Sequence, residues 1–448
     1  MKKLLLSFCL LIASLSSFAQ SWTTQASGFS SPSRGISKLE IIDANTVWGL
    51  AYDGTAAAAN VQEFTLTTNG GAAWTPGTIN IGNAALAIGN LCAISATTAW
   101  VSAFDSTAGL GSIWKTTDSG ATWTQQNVGS FSTAASSWID GVYFFDANNG
   151  LAFGDPVGTT FEIYTTNDGG ATWTPATSPA IVAGEYGYSG NFVAAGNSFW
   201  FTTSKGKIYK TTDKGLTWTK LSSPLNDFGA QVTTTHIGSL YFTDNNTGII
   251  VGAKNYSSTA GTGTFKIYTT LDGGTTWSTG VTYTGFRNMC YIPGTTKIVA
   301  TSALTTTTTS DGSSYSMDNG VTWTTIETGT QRLPPAFLNE TTGWCGGFNS
   351  DPFTGGVFKF NGNLFNPAFN ATKGFVVSPN PANSVVSISS SIEDSYSLKV
   401  LDLTGKTILE KELNGIENTL DVSALNSGMY FFHFASDLKS ETVKIIKN

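Results

Sequence analysis

The chain has 448 residues, 12% charged and 12% aromatic, with 49 glycines and a formal net charge of −7. An acidic chain without a Lys/Arg cluster has no electrostatic footprint for nucleic acid, and anionic membrane surfaces are excluded on the same ground. Gly, Thr, Ser and Asn mixed with aromatics predict many short strands joined by tight turns, with few long amphipathic helices.

Residues 1–19 read Met1-Lys2-Lys3, an apolar run from Leu4 to about Leu15, and Ser17-Phe18-Ala19. A basic start, a short apolar stretch and small residues at −3 and −1 predict a secretory signal peptide cleaved before Gln20. The run is too short to span a bilayer, and no later stretch predicts a transmembrane segment. Export is the expectation.

From there a signature of the form Ser/Thr-x-Asp-x-Gly-x-Thr-Trp recurs six times, ending at Trp74, Trp123, Trp173, Trp218, Trp277 and Trp323, at intervals of 45 to 59 residues. Such a period marks an array of supersecondary units. Asp118, Asp168, Asp213, Asp272 and Asp318 can accept backbone N–H bonds within the turn, and Asn69 can do so in the first copy, where Ala73 replaces Thr. The glycines supply positive φ, and each Trp packs against a neighbouring strand. Around each turn lie three to four strand-like segments, as in Val142–Phe145, Leu151–Phe153 and Phe161–Thr165, which predict an antiparallel blade. A seventh unit, about Pro334 to Gly362, lacks the signature. Ser21-Trp22-Thr23-Thr24-Gln25 resembles the strand that follows every signature Trp. Its pairing with the last unit would close a ring and remove two sheet edges. The predicted fold is all-β: a seven-bladed β-propeller over 20–362, closed by the N-terminal strand.

A linker is expected over 363–375. Residues 376–448 then carry Val377-Ser378-Pro379-Asn380-Pro381, strand-like segments split by Thr404-Gly405-Lys406, and Gly428-Met429-Tyr430-Phe431-Phe432. Alternation and Gly turns there predict a small β-sandwich.

The repeats resemble Asp-box (BNR) propellers, shared by sialidases, sortilin-type receptors, certain xyloglucan hydrolases and photosystem II assembly factors. The C-terminal segment resembles the type A sorting domain of the type IX secretion system, through its Pro-Asn-Pro entry, Thr-Gly-Lys turn, Leu-x-x-Gly-x-Tyr stretch and Lys-rich end. That resemblance implies the secretion machinery as a partner through residues 376–448. It also implies passage through the periplasm to the outer-membrane surface or medium.

Propeller ligands usually sit over the central opening, on the face shared by the fourth-to-first and second-to-third connections. The only three arginines, Arg34, Arg287 and Arg332, fall just before or at the start of first strands in blades 1, 6 and 7. Converging guanidinium groups would form an anion site. Sialidases clamp a carboxylate with three arginines, and Arg332-Leu333-Pro334 resembles their Arg-Ile/Leu-Pro motif. Here, however, it follows the last signature, and the blade count differs. Asp53, Asp105, Asp155 and Asp351 lie in second-to-third loops of the same face. With Glu185 and Tyr186 they are candidate glycosidase groups, since that chemistry needs two carboxyls across a sugar; turn chemistry also explains the aspartates. Trp138, Asp140, Tyr186, Tyr188 and His236 precede or begin the first strands of blades 3, 4 and 5, placed to stack on a ligand or to fill the channel.

Cys92, Cys290 and Cys345 are an odd set without a disulfide pattern and read as buried small hydrophobes. His236 and His433 are the only histidines, which supports neither a metal site nor a Ser-His-Asp triad. No cofactor is expected. The leading reading is an exported, non-catalytic propeller that binds a glycan or protein ligand. The alternative is a sialidase-like or xyloglucanase-like glycoside hydrolase, and an assembly factor is a third option.

Overall fold

Strands and turns make up the computed structural model, which describes residues 20–55, 59–107, 109–127, 131, 138–229, 236–257, 262–303, 311–364, 375–390, 395–436 and 440–448. The expected signal peptide and residues 365–374 of the expected linker lie outside the described residues. By internal contacts the chain divides into two units, Met1–Leu364 and Phe365–Asn448.

The first unit is a succession of antiparallel sheets, each a meander of strands adjacent in sequence. Sheet A contains Arg34–Ile41, Val47–Asp53, Glu63–Thr67 and Thr75–Thr78. Sheet B runs from Ala87–Ala93 to Thr124–Gln126, sheet C from Ile139–Phe144 to Thr174–Thr177 and sheet D from Gly187–Ala195 to Thr219–Ser222. Sheet E spans His236–Phe242 to Val281–Tyr283, and sheet F spans Asn288–Tyr291 to Thr324–Thr328. Sheet G contains Pro335–Asn339, Thr342–Asp351 and Thr354–Asn361, and its last strand pairs with Ser21–Ala26 from the start of the chain. Trp22 lies opposite Phe360 and Thr24 opposite Phe358. Gly35 pairs with Phe348, joining sheet G to sheet A.

Burial follows position within each meander. Ser198–Thr203, a second strand, is buried along its whole length, because neighbouring sheets cover both faces. The fourth strand Thr219–Ser222 has no buried residue and is correspondingly polar. Apolar clusters join each sheet to the next: Trp48 and Phe64 of A pack with Leu91, Val101 and Trp123 of B, and Trp200 of D packs with Leu240 and Phe242 of E. Trp74 and Val47 of A share a cluster with Trp344 and Val357 of G.

The second-strand tryptophans Trp48, Trp100, Trp200 and Trp344 are wholly buried. Trp100 stacks on Phe144 at 3.5 Å and Trp200 on Phe242 at 4.0 Å, each ring bridging two sheets. Lysines ride over three of these rings and donate onward to a carbonyl of the next sheet's turns: Lys115 to Gly169, Lys210 to Asn245 and Lys359 to Gly70. Lys359 makes this contact from sheet G to sheet A.

The recurring turns share one hydrogen-bond pattern. Asp168 Oδ1 accepts Thr172 N–H at 2.9 Å and Thr166 Oγ1–H at 2.8 Å, and its Oδ2 accepts Thr172 Oγ1–H at 2.6 Å. Asp118, Asp213, Asp272 and Asp318 repeat it. Asn69 keeps the bond to Ala73 N–H without the hydroxyl contact, as Ala73 carries none. Two successive residues have positive φ, for example Gly169 at 71° and Gly170 at 91°, which is why glycine holds the second place in all six copies. Trp173, Trp218, Trp277 and Trp323 donate Nε1–H to the carbonyl of that glycine, whereas Trp74 turns to Gln25 in the N-terminal strand.

The second unit has two sheets, Phe375–Ser378/Val385–Ser390/Glu417–Asp421 and Thr407–Asn414/Ser395–Leu401/Gly428–Ala435/Ser440–Lys447. One apolar cluster containing Phe375, Ile388, Tyr396, Leu398, Phe432 and Phe434 serves both. Phe375 and Phe434 stack at 4.3 Å. In the Thr404-Gly405-Lys406 turn, Asp402 accepts the N–H groups of Thr404 and Lys406, and Gly405 has φ 82°.

Candidate functional site

The start of each first strand and the end of each second strand fall on one face. Arg34 lies opposite Asp53 in sheet A, and Gly187 opposite Thr203 in sheet D. The three arginines begin on this face but meet different partners. Arg34 Nε donates to Glu63 Oε2 at 3.0 Å, with Asp53 at 3.7 Å from its Nη1. Arg332 is buried; its guanidinium meets both oxygens of Glu327, at 2.7 and 3.0 Å, and covers the Phe358 ring at 3.8 Å. Arg34 thus ties the start of sheet A's first strand to its third, and Arg332 ties the approach to sheet G to the last strand of sheet F. Arg287 stacks over Phe265 at 4.2 Å and lines a cavity.

The loop carboxylates divide in the same way. Asp53 accepts the N–H groups of Ala59 and Thr55, which hold its carboxyl below the usual range, in that order of effect. Asp105 accepts Thr107 N–H and Asp351 accepts Phe353 N–H, both as turn-forming side chains. Glu185 is buried and receives Thr203 Oγ1–H at 2.6 Å, Val182 N–H at 2.7 Å and Tyr209 O–H at 3.2 Å. It anchors its own turn, while the adjacent Tyr186 faces outward and meets Tyr188 edge to face at 5.5 Å. Asp155 is different: it faces the fully buried Asp140. Burial, then the charge of Asp155, push Asp140 well above the carboxylate range, and burial lifts Asp155 to about 6.

Among the aromatic candidates, Trp138 packs against Phe104 at 5.6 Å, and its carbonyl accepts Asp155 N–H. Tyr188 donates to Asp227 at 2.5 Å; burial first and Asp227 second raise its pKa. His236 begins the first strand of sheet E, and its side chain lies outside those described.

Between the first strands of sheets D, E and F lies a cavity of about 340 Å³, lined by Ser189, Asn191, Ser239, Arg287, Asn288 and Ser302 among others. Its wall combines hydroxyls, carboxamides, glycine backbone and one guanidinium with the apolar Val251, Phe265 and Ala303, suited to a polar or anionic ligand with some apolar surface. Among the described residues, no three or more His, Cys, Asp or Glu side chains gather as a metal site. Of the cavity-lining polar groups, only Arg287 was singled out by sequence. Ser189, Asn191, Ser239 and Asn288 carry no motif; the available signal was Gly187-Tyr188-Ser189-Gly190-Asn191, a polar, Gly-punctuated start to a strand that then turns apolar. All three described cysteines are free, with Cys92 and Cys345 buried.

Residues 376–448 match the family model of the secretion system C-terminal sorting domain. The protein is therefore exported by the type IX system to the cell surface or extracellular space. No curated protein sequence matches the chain. Among solved structures, YCF48 bound to D1 peptide is 14% identical, with a TM-score of 0.51, covering 77% of this chain and 97% of that one. YCF48 from Cyanidioschyzon merolae is 13% identical (TM-score 0.47; 77% and 98% covered), and Trypanosoma rangeli sialidase in complex with sialic acid is 10% identical (TM-score 0.41; 95% and 88% covered). The likeness to the first of these shows a β-propeller fold.

Proposed function

We propose that this exported protein is a seven-bladed Asp-box propeller, closed by its N-terminal strand and followed by a β-sandwich sorting domain, that binds a glycan or protein ligand without turning it over. A signal peptide at residues 1–19 completes this reading. The observation that carries the binding function is the cavity itself, lined by Arg287 together with the hydroxyls and carboxamides of Ser189, Asn191, Ser239 and Asn288. Asp53, Asp105, Asp351 and Glu185 are occupied as turn and strand anchors. Arg34 and Arg332 neutralise local glutamates. The recess offers hydroxyls, carboxamides and a guanidinium to a ligand, and its lining among the described residues includes no carboxyl. The YCF48 structure with a bound peptide supports a peptide as one ligand class for this fold, by analogy alone.

The test is a glycan and peptide binding screen with the exported protein, followed by calorimetry on the hits. Arg287→Ala should weaken binding at least about tenfold, as expected when a charged hydrogen bond to a ligand is lost. Arg34→Ala and Arg332→Ala should leave affinity within about twofold while lowering stability. For Arg332 the loss should be about 1.5–3 kcal/mol, because its charged hydrogen bonds to Glu327 are removed. Unchanged affinity in Arg287→Ala would remove the cavity as the site.

One observation favours the glycoside hydrolase reading: Asp155, held near 6, has the acidity of a general acid at neutral pH. It predicts sugar release from a glycan panel that is abolished in Asp155→Asn. Binding without release in the unaltered protein disposes of it.

A further inference from the structure

The first strand of sheet D leaves its ladder where it meets the cavity. Gly187 pairs with Thr203 and the next pair is Phe192 with Phe201, so residues 188–191 stand opposite Thr202 as a bulge. Ser189 and Asn191 of this bulge line the cavity. Bulges re-aim side chains at the expense of ladder bonds, so other bonds must hold them.

Those bonds lead to two carboxyls of sheet C. Gly187 N–H donates to Asp155 Oδ1 at 2.7 Å, and Ser189 Oγ–H donates to Asp140 Oδ1 at 3.3 Å. Asp140 is 3% exposed, and its Oδ2 has no hydrogen-bond partner among the described residues. This oxygen lies against Gly187, where any Cβ would collide with it, so glycine lets the carboxyl and the foot of the bulge close together. The bulge is fastened further by Asn191 Nδ2–H to Gly238 O at 3.0 Å and by Tyr188 to Asp227.

Lys38, over the Phe192 ring that follows the bulge, pairs with Glu40. Asp140 is faced by Asp155 from the second strand of its sheet, while Ser189 and Gly187 face it from sheet D. Neither carboxyl enters an ion pair among the described residues. Glu185, two residues before Gly187, is tied to Thr203, Tyr209 and Val182. Two like charges so placed at a largely buried site repel each other and lose solvation, and protonation removes both penalties.

We propose that Asp140 and Asp155 are protonated when the Tyr188–Asn191 bulge is seated, and that the cavity wall loosens as the pair ionises. The device is a pH-sensitive latch between sheets C and D. Loss of a proton to solvent puts an unbalanced negative charge at the foot of the bulge, beside a second carboxyl. Burial raises both groups, Asp155 to about 6, so the latch is closed in mildly acidic surroundings and opens as pH rises through that value. It stands whether or not the cavity binds a ligand.

Amide hydrogen exchange of residues 187–191 in the full exported chain, corrected for intrinsic rates, tests it at about pH 5 and pH 8. Protection in the bulge should fall about tenfold or more at the higher pH, as loss of one proton-linked contact predicts, while Ser198–Thr203 holds steady. Asp140→Asn keeps a neutral group of the same shape and should flatten that profile. Asp155→Asn, the more accessible partner, serves as the second variant and should flatten it too. Equal protection at both pH values in the unaltered protein, or the unaltered profile in either variant that folds, overturns the latch. Failure of ligand binding in the Arg287→Ala series bears on the cavity alone and leaves this result unaffected.

Discussion

Asp168 condenses the physics of the repeat into one side chain. Three donors from Thr166 and Thr172 converge on its two oxygens, and they do so at the surface, where a carboxylate costs nothing to keep charged. The Thr172 hydroxyl, then its N–H, hold this carboxyl at about 2 against an ordinary 3.8, and Asp272 sits at about 2 through Thr276 in the same way. Because the folded pKa is depressed, the stabilisation is present above the unfolded value and is lost as pH falls from about 4 toward 2. Urea midpoints measured between pH 5 and pH 2 should therefore decline, and Asp168→Asn should make that decline shallower. An identical slope in the variant would mean that the turn bonds do not distinguish charged from neutral side chains. Asp140 and Asp155 act with opposite sign: both are raised by burial, and the contribution of Asp155 is lost as pH rises through about 6.

At the scale of elements, the decisive contact is the strand Ser21–Ala26 on sheet G. Without it, the strand Thr354–Asn361 would present a free edge of backbone donors and acceptors. Trp22 fastens the strand: its Nε1–H reaches Ser313 of sheet F at 2.9 Å, and its ring meets Phe360 at 5.4 Å and Phe337 at 6.1 Å. One side chain thus couples the chain start to two consecutive sheets. Trp22→Ala should lower the melting temperature and promote self-association, read by scanning calorimetry and light scattering. A monomer with unaltered melting temperature would show that the strand is held by its backbone bonds alone. The lysine and tryptophan contacts between sheets act alongside it, since Lys359 reaches Gly70 from the same sheet.

For the whole molecule, two units divide the labour. The propeller carries the cavity, and the C-terminal unit carries the sorting signal within its own apolar core. Because Phe375–Asn448 has both sheets and a cluster of its own, removing 376–448 should spare the propeller while abolishing export. Cell fractionation should then find the shortened chain retained in the periplasm. Recovery of that chain from the medium at the unaltered level would contradict the role of residues 376–448.

Much of the architecture was legible because it is written in short-range chemistry. An Asp, a Gly and a Trp at set spacing dictate a turn, the turn sets two strands antiparallel, and repetition of the unit implies sheets packed side by side. The pairing of Trp22 with the last sheet was legible for the same reason, as an orphan strand and an incomplete unit. The sorting domain was readable from its Pro-Asn-Pro entry and Gly turns. The site was not readable in this way. That Arg34 and Arg332 are spent on Glu63 and Glu327 while Arg287 lines a cavity depends on which side chains neighbouring strands bring within about 3 Å, a distance on which local spacing is silent. Asp140 and Asp155 are 15 positions apart with ordinary turn neighbours, yet Gly187, from another sheet, closes over them. Local hydrogen bonding could specify strands, turns and repeats from the chain alone; the charges that meet in the interior were decided by packing between sheets, because burial and proximity exist only once the sheets are assembled.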